Sequence, residues 1–350
     1  MGKRNKSGKI VLMLAFLIRG DGGMLPAIFA AEPIKKEAIA TLAEGTSYKK
    51  AGKLATAVES YSRFIKLVPA SKETARALVE RAQCYQGLRN YKLAFADYAK
   101  ASGLDPALRT VCEIGEAECY ADLKEVESAV SLLTKIIAQR SRLNAVELGG
   151  AYLVRGNCYR LLRRWSDAID DYKHAMKVPA CKEAALMGMG LAYHELKQMR
   201  AALTKMAEVT WMDPKNVEAF RLIGNWWSEC GEFRHAVDDY STVLRLGGPQ
   251  ADVYTWRGNC RLQLGDKEAA LEDCSEALRL MPSNTAALRV RARVYFDLGD
   301  DENAIADLSK AISLSPREKR LYLRRAEVYD DMKEPALAAQ DRQAAQSLSR

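Results

Sequence analysis

The sequence predicts an all-α protein, an α-solenoid of about nine tandem helix-turn-helix repeats, and three recurrences carry that prediction. An alanine returns every 34 residues at Ala168, Ala202, Ala236, Ala270, Ala304 and Ala338. Twelve residues before each stands a small residue: Gly156, Gly190, Gly224, Gly258, Ala292 or Ala326. Three residues after each of those stands Tyr159, Tyr193, Trp227, Arg261, Tyr295 or Tyr329. Self-similarity at this period belongs to stacked supersecondary units, none of which can bury its apolar face alone. Such arrays present extended surfaces, which turns the functional search toward binding rather than catalysis.

Within one repeat the apolar residues fall at helical spacing. Phe220, Ile223 and Trp227 form one stripe, and Phe233, Ala236, Val237, Tyr240 and Val243 form a second. This predicts two helices of about a dozen residues each. Breaks are expected at Cys230-Gly231-Glu232 and Leu246-Gly247-Gly248, where glycine supplies the positive φ that ends a helix. Proline after Asp213 or Met281 stops the second helix and biases its predecessor toward extended backbone. The small residue lets two helix backbones approach closely. No strand-like alternation competes, and 10 prolines in 350 residues leave little room for a long disordered linker.

Three looser copies precede the regular ones. The first has Gly45, Tyr48, Ala57, Tyr61 and Pro69, and the second Ala82, Tyr85, Ala94, Tyr98 and Pro106. The third has Ala117, Tyr120 and Ala129, with Leu133 in place of the ring. The array therefore runs over 38–350, with repeats near 38–71, 75–108, 110–143, 149–182, 183–216, 217–250, 251–284, 285–318 and 319–350. Early alanine gaps of 37, 35 and 39 place short insertions near Ala70–Lys72 and Arg140–Val146, in turns where added length is cheap. Arg342, Gln343 and Gln346 give the final helix a polar face, as a terminal cap requires.

The residues that repeat resemble the tetratricopeptide repeat motif: an aromatic, Leu-Gly, a Tyr, a later Ala, a second aromatic and a closing Pro. Phe220, Ile223, Gly224, Trp227, Ala236 and Tyr240 match it most fully, although Gly248 replaces the proline. Pro214, Pro282 and Pro316 close other copies in place, and Pro179 comes one residue early. The resemblance implies a right-handed superhelix whose first helices line a concave groove for a peptide or partner surface. It also implies no enzymatic activity and no cofactor.

Residues 1–31 stand outside the array. Lys3, Arg4, Lys6 and Lys9 precede an apolar run from Ile10 to Ile18, and Ala27, Ala30 and Ala31 follow. This is the layout of a secretory signal peptide, and the run falls short of the ~20 residues a membrane span needs. The expectation is an exported protein, periplasmic or extracellular, with no stable membrane span after cleavage. The alternative is a cytoplasmic chain, or one anchored by an uncleaved N-terminus. The whole chain carries a net charge of +8. The segment holds five Lys or Arg and one Asp, so its removal leaves +4. Spread over the array, that is no nucleic-acid footprint.

Eight cysteines fit the repeat better than a disulfide framework. Cys84, Cys119, Cys158 and Cys260 each precede the Tyr position by one residue, where a small hydrophobe packs between helices. Equivalent positions on packed helices lie about 8–10 Å apart, beyond the roughly 7 Å that a disulfide tolerates between Cα atoms. Free buried thiols are expected. No metal motif is present: there is no C-x-x-C, and His194-Glu195 lacks a second histidine. Gly188-Met189-Gly190 lacks the strand and third glycine of a dinucleotide loop.

One charged pattern reads as structural. Arg81, Arg155, Arg257, Arg291 and Arg325 each precede the small residue, and each has an aspartate 16 residues later: Asp97, Asp171, Asp273, Asp307 and Asp341. An ion pair between the two helices of a repeat would satisfy the planar guanidinium. Of the four repeats without this arginine, only the one with Asp239 keeps the acid.

Carried onto this chain, the family's groove positions change character along the array. Early repeats offer Leu42, Val79, Ile114, Leu153, Met187 and Leu191; later ones offer Arg221, Asn225, Asn259, Arg289, Arg293, Arg320 and Arg324, with Glu327 and Asp330 beyond. The expected partner is a protein or peptide, acidic where the arginines gather. A carboxylate-clamp co-chaperone is the alternative, with matches at Asn259, Arg320 and Arg324 and departures at Thr255 and Val290. A further alternative is the regulatory subunit of an enzyme complex whose catalysis lies in a partner chain. Oligomeric state is not legible.

Overall fold

The computed structural model describes residues 32–348, so the expected signal segment lies outside the described residues. Eighteen α-helices follow one another. They are α1 (Glu32–Lys50), α2 (Leu54–Leu67), α3 (Lys72–Gly87), α4 (Tyr91–Leu104), α5 (Arg109–Asp122) and α6 (Val126–Ala138). Next come α7 (Ala145–Leu161), α8 (Trp165–Ala175), α9 (Pro179–Glu195), α10 (Met199–Met212), α11 (Val217–Glu229) and α12 (Phe233–Gly247). The last six are α13 (Ala251–Gln263), α14 (Lys267–Leu280), α15 (Thr285–Asp297), α16 (Asp301–Leu314), α17 (Lys319–Asp331) and α18 (Pro335–Ser347). The fold is all-α, a tandem array of helical pairs as the 34-residue period requires. None of the described helices is long and apolar enough to cross a membrane.

The chain divides into two compact units, one up to Lys205 and one from Met206, with the boundary inside α10. In the first unit α1 packs on α2, α3 on α4, α5 on α6 and α7 on α8, and successive pairs pack on each other. In the second unit α11 pairs with α12, α13 with α14, α15 with α16 and α17 with α18.

Side-chain caps start many of these helices. Asn90, Asn216, Asp266, Asn284 and Asp300 each accept a bond from the backbone N–H three residues on. The insertion before α7 forms a 3₁₀ turn, Arg140–Arg142, followed by a capping box between Asn144 and Glu147. A second 3₁₀ turn, Pro106–Leu108, absorbs the extra residue of the second repeat, which the alanine spacing alone did not locate.

The left-handed residue that ends each first helix is glycine in four repeats: Gly52, Gly231, Gly265 and Gly299. In five others it is a cation at φ 59–68°: Arg89, Lys124, Arg163, Lys197 and Lys333. Gly248 also takes positive φ, whereas Gly247 is the last residue of α12.

In three repeats glycine at the small-residue position answers to a ring on the second helix, whereas Gly258 faces Asp273 and Cys274. A Cβ built on Gly45 would meet Tyr61 Cε1 at 2.8 Å; on Gly156, Tyr172 at 2.8 Å; on Gly224, Tyr240 at 2.9 Å. Tyr172 also presses its far end on Gly188 of the next repeat, as Tyr98 does on Gly115. At these two junctions of the first unit one ring thus fills the gap between consecutive repeats. Tyr61, Tyr98 and Tyr172 are fully buried there.

All five expected Arg–Asp pairs form, each bidentate. Arg81 meets Asp97 at 2.8 and 2.8 Å, Arg155 meets Asp171 at 2.8 and 2.8 Å, and Arg325 meets Asp341 at 2.8 and 2.8 Å. Arg257 meets Asp273 at 2.9 and 2.6 Å, and Arg291 meets Asp307 at 2.7 and 2.8 Å. The remaining nitrogen, Nη1, donates to a hydroxyl on the second helix of the preceding repeat: Ser62, Thr134, Ser241, Ser275 or Ser309. Each arginine therefore ties three helices rather than two.

The apolar groove expected in the early repeats is corrected at three of its six positions. Val79, Ile114 and Leu153 are buried in the first unit's core, because these positions meet neighbouring helices rather than solvent. Leu42, Met187 and Leu191 are half-buried, and Leu42 packs on the same core. At the far end, Arg342, Gln343 and Gln346 are exposed, with Arg342 bonded to Asp330.

Candidate functional site

Three first helices of the second unit, α13, α15 and α17, bring five of the seven expected site residues to one cavity of about 780 Å³. Asn259 comes from α13, Arg289 and Arg293 from α15, and Arg320 and Arg324 from α17. Arg289 and Arg293 are one helical turn apart, as are Arg320 and Arg324, so each pair shares a helix face. Leu262, Val290, Phe296, Leu323 and Val328 give the cavity an apolar lining between the charges.

Neighbouring acids engage the arginines to different degrees. Arg293 bonds Asp297 at 2.7 Å and Arg324 bonds Glu327 at 2.6 Å, both within one turn of the same helix; both arginines and Glu327 are about half exposed, and Asp297 about a quarter. Such solvated pairs are worth roughly 0–1 kcal/mol and exchange readily for another anion. Arg289 stands 3.8 Å from Glu318, a loose contact. Arg320 is exposed and has no ion-pair partner among the described residues. Four guanidiniums against the lining Asp297 and Glu327 leave the cavity positive.

Arg221 and Asn225 do not join it. Arg221 forms a bidentate pair with Glu218, at 3.0 and 2.5 Å, on its own helix α11. Asn225 Oδ1 accepts the Tyr240 hydroxyl at 2.9 Å, as Asn157 accepts from Tyr172 at 2.8 Å. The second helix decides which asparagine remains available. In the repeat of Asn259 the ring position holds Cys274, so no phenol engages the amide.

The two clamp departures are explained by burial. Thr255 is 5% exposed; its hydroxyl donates to Ala251 O and accepts from Asn284 Nδ2. Val290 is 6% exposed. Neither position offers a polar group to the cavity beyond what Asn259 and the arginines supply. Among the described residues no group of three or more His, Cys, Asp or Glu could hold a metal ion.

Tetratricopeptide repeat models match residues 42–108, 251–284 and 290–318. A tetratricopeptide repeat protein from Parabacteroides merdae superposes with a TM-score of 0.52 at 19% identity, covering 69% of this chain and 93% of that one. The C-terminal part of a repeat-containing protein from Cytophaga hutchinsonii gives 0.57 at 17% identity, covering 67% and 95%. Among curated proteins, the Protein CTR9 homolog of Arabidopsis thaliana is 30% identical over 128 residues. That match spans 36% of this chain and 11% of the relative. The helical pairs, the ring-on-glycine contacts and these matches place the chain in the tetratricopeptide repeat family.

Proposed function

We propose that this chain is a non-enzymatic protein-interaction scaffold, exported to the cell envelope, whose second unit takes a carboxylate-rich peptide segment of its partner. The observation that carries this reading is the cavity that gathers Asn259, Arg289, Arg293, Arg320 and Arg324 over an apolar lining. Guanidinium groups hold carboxylates through short charge-assisted bonds, and they hold them bidentately. The apolar residues between them suit side chains that flank the acids on an extended peptide. Arg320 and Arg289 are the anchors, because their own chain engages them least.

Isothermal titration with a peptide of alternating acidic and aliphatic residues tests the reading. Binding is expected to weaken as salt rises, and Arg289→Ala with Arg320→Ala should lower affinity by at least about tenfold. Arg221→Ala, away from the cavity, should leave it unchanged. Salt-independent binding, or equal binding by the double variant, would move the partner site elsewhere.

A further inference from the structure

The turns between first and second helices segregate charge by unit in a way the repeat does not require. In repeats two to five the left-handed residue is Arg89, Lys124, Arg163 and Lys197, and all four are exposed. The first repeat has Gly52 followed by Lys53. In repeats six to nine the residue after the left-handed one is an acid each time: Glu232, Asp266, Asp300 and Glu334. Its equivalents in repeats two to five are Asn90, Glu125, Arg164 and Gln198. The turns of the first unit therefore carry an excess of cations and those of the second an excess of acids, although Glu125 follows Lys124 in the first and Lys333 precedes Glu334 in the second.

Backbone strain singles out the cations. A non-glycine residue at positive φ is uncommon, and Asn or Asp is the usual substitute. Here every such residue is Arg or Lys. Cations near a helix C-terminus gain from its dipole, and acids near an N-terminus likewise. That accounts for each charge singly, but not for four of the five left-handed cations falling in the first unit, with Lys333 alone in the second, nor for an acid following the left-handed residue at every second-unit turn. None of the four cations or four acids takes part in an ion pair among the described residues.

We propose that the cationic turn edge of the first unit is a docking surface for the acidic turn edge of the second unit on another copy of this chain. The two rows match in number, four against four. They match in pitch as well, because both are spaced by one helical-pair repeat. An exposed leucine stands beside the charge on both sides: Leu88 at 45% and Leu123 at 42% exposure in the first unit, Leu264 at 46% and Leu298 at 45% in the second. Leu88, Arg89 and Leu123 line one shallow depression of about 660 Å³. Apolar contacts would then lie between charge pairs, the usual arrangement of a specific interface. The contact uses different surfaces on the two copies, so it is head-to-tail and forms chains or rings rather than a closed twofold dimer.

Sedimentation velocity on the full chain tests this. At about 0.1 M salt the mean mass should rise with protein concentration; at about 1 M, where the Debye length falls from about 10 Å to about 3 Å, the species should be monomeric. Substituting Arg89, Lys124, Arg163 and Lys197 by glycine keeps positive φ without strain. That variant should retain its helical circular dichroism and melting temperature while self-association weakens at least about tenfold. A variant with Arg89→Glu, Lys124→Glu and Arg163→Glu, and a separate one with Glu232→Lys and Glu334→Lys, should each be monomeric alone and associate when mixed. A wild-type chain monomeric at every concentration would overturn the proposal. So would unchanged association in the glycine variant, or a mixture that stays monomeric. Acidic-peptide binding at the arginine cavity is read separately, so failure here leaves that reading intact.

Discussion

Asp273 shows how the setting of a charge decides its worth. Its carboxylate takes two bonds from Arg257 and lies 3.0 Å from Arg261, with only 3% of the side chain exposed. Removing one member of a buried pair leaves the other charge without compensation, at about 3–5 kcal/mol. Asp273→Ala should therefore lower the denaturation midpoint clearly, whereas Glu327→Ala, in a pair about half exposed, should cost no more than about 1 kcal/mol. Urea titrations of the two variants side by side check this. Asp239 is the reverse case. Ile223 stands where five repeats place arginine, and burial with Asp238 beside it pushes the Asp239 carboxyl up to about 7. Its folded pKa lies above the ordinary value near 4, so the folded state holds the proton longer than the unfolded chain. Stability must then fall as pH rises from about 4 to about 7, and level off above that. Asp239→Asn should remove this slope and gain about 1–2 kcal/mol above pH 7, less than full desolvation would give because solvent still reaches the group. Equal pH profiles for variant and wild type would refute it. The Arg–Asp pairs were legible because both partners recur at one spacing. The hydroxyl that each arginine also reaches was not, because early insertions shift Ser62 and Thr134 out of the 16-residue register kept by Ser241, Ser275 and Ser309.

Elements repeat that lesson at the helix junctions. Glycine at the small-residue position faces a ring at Gly45, Gly156 and Gly224, and there the two must change together. Tyr240 is held in place by its bond to Asn225, so it cannot swing away from a methyl group on residue 224. Gly224→Ala places a Cβ 2.9 Å from that ring. Overpacking of this kind costs about 1–3 kcal/mol, against roughly 0.5–1 kcal/mol gained from alanine in a helix. Net destabilisation is expected, and thermal melts should show it. Gly103 is the control. A Cβ there meets nothing within 4 Å, so Gly103→Ala should raise stability by about 0.5–1 kcal/mol. Helix existence was legible from apolar spacing alone, and Gly231 and Gly248 announced their turns. The turns at Arg89, Lys124, Arg163, Lys197 and Lys333 carried no such marker, because a cation in left-handed backbone is not a sequence signal. Their existence had to be inferred from the period.

Across the whole molecule the period was the legible quantity, and what it could not supply was local pairing. Five of the seven expected site residues share the cavity because equivalent positions on consecutive first helices must face one way. Arg221 and Asn225 obey the same geometry but are engaged by Glu218 and Tyr240, partners set by single substitutions rather than by the repeat. Four of the eight cysteines follow the period too, and the thiols bear on the proposed export. All eight are free; seven are buried and Cys230 is exposed. Burial pushes the Cys84 and Cys181 thiols up to about 11, and those of Cys112, Cys158 and Cys274 to about 12. Only the thiolate attacks an alkylating agent or a disulfide, so at pH 8 these groups hold roughly a thousandth or less of the reactive form. Iodoacetamide on the native protein should therefore add one group, at Cys230, and eight after denaturation, as read by intact mass. Such thiols would survive an oxidising compartment without forming bridges, because burial keeps them out of thiol–disulfide exchange. Labelling of several cysteines in the native state would show that the repeats open readily, and the free thiols would then weigh against export.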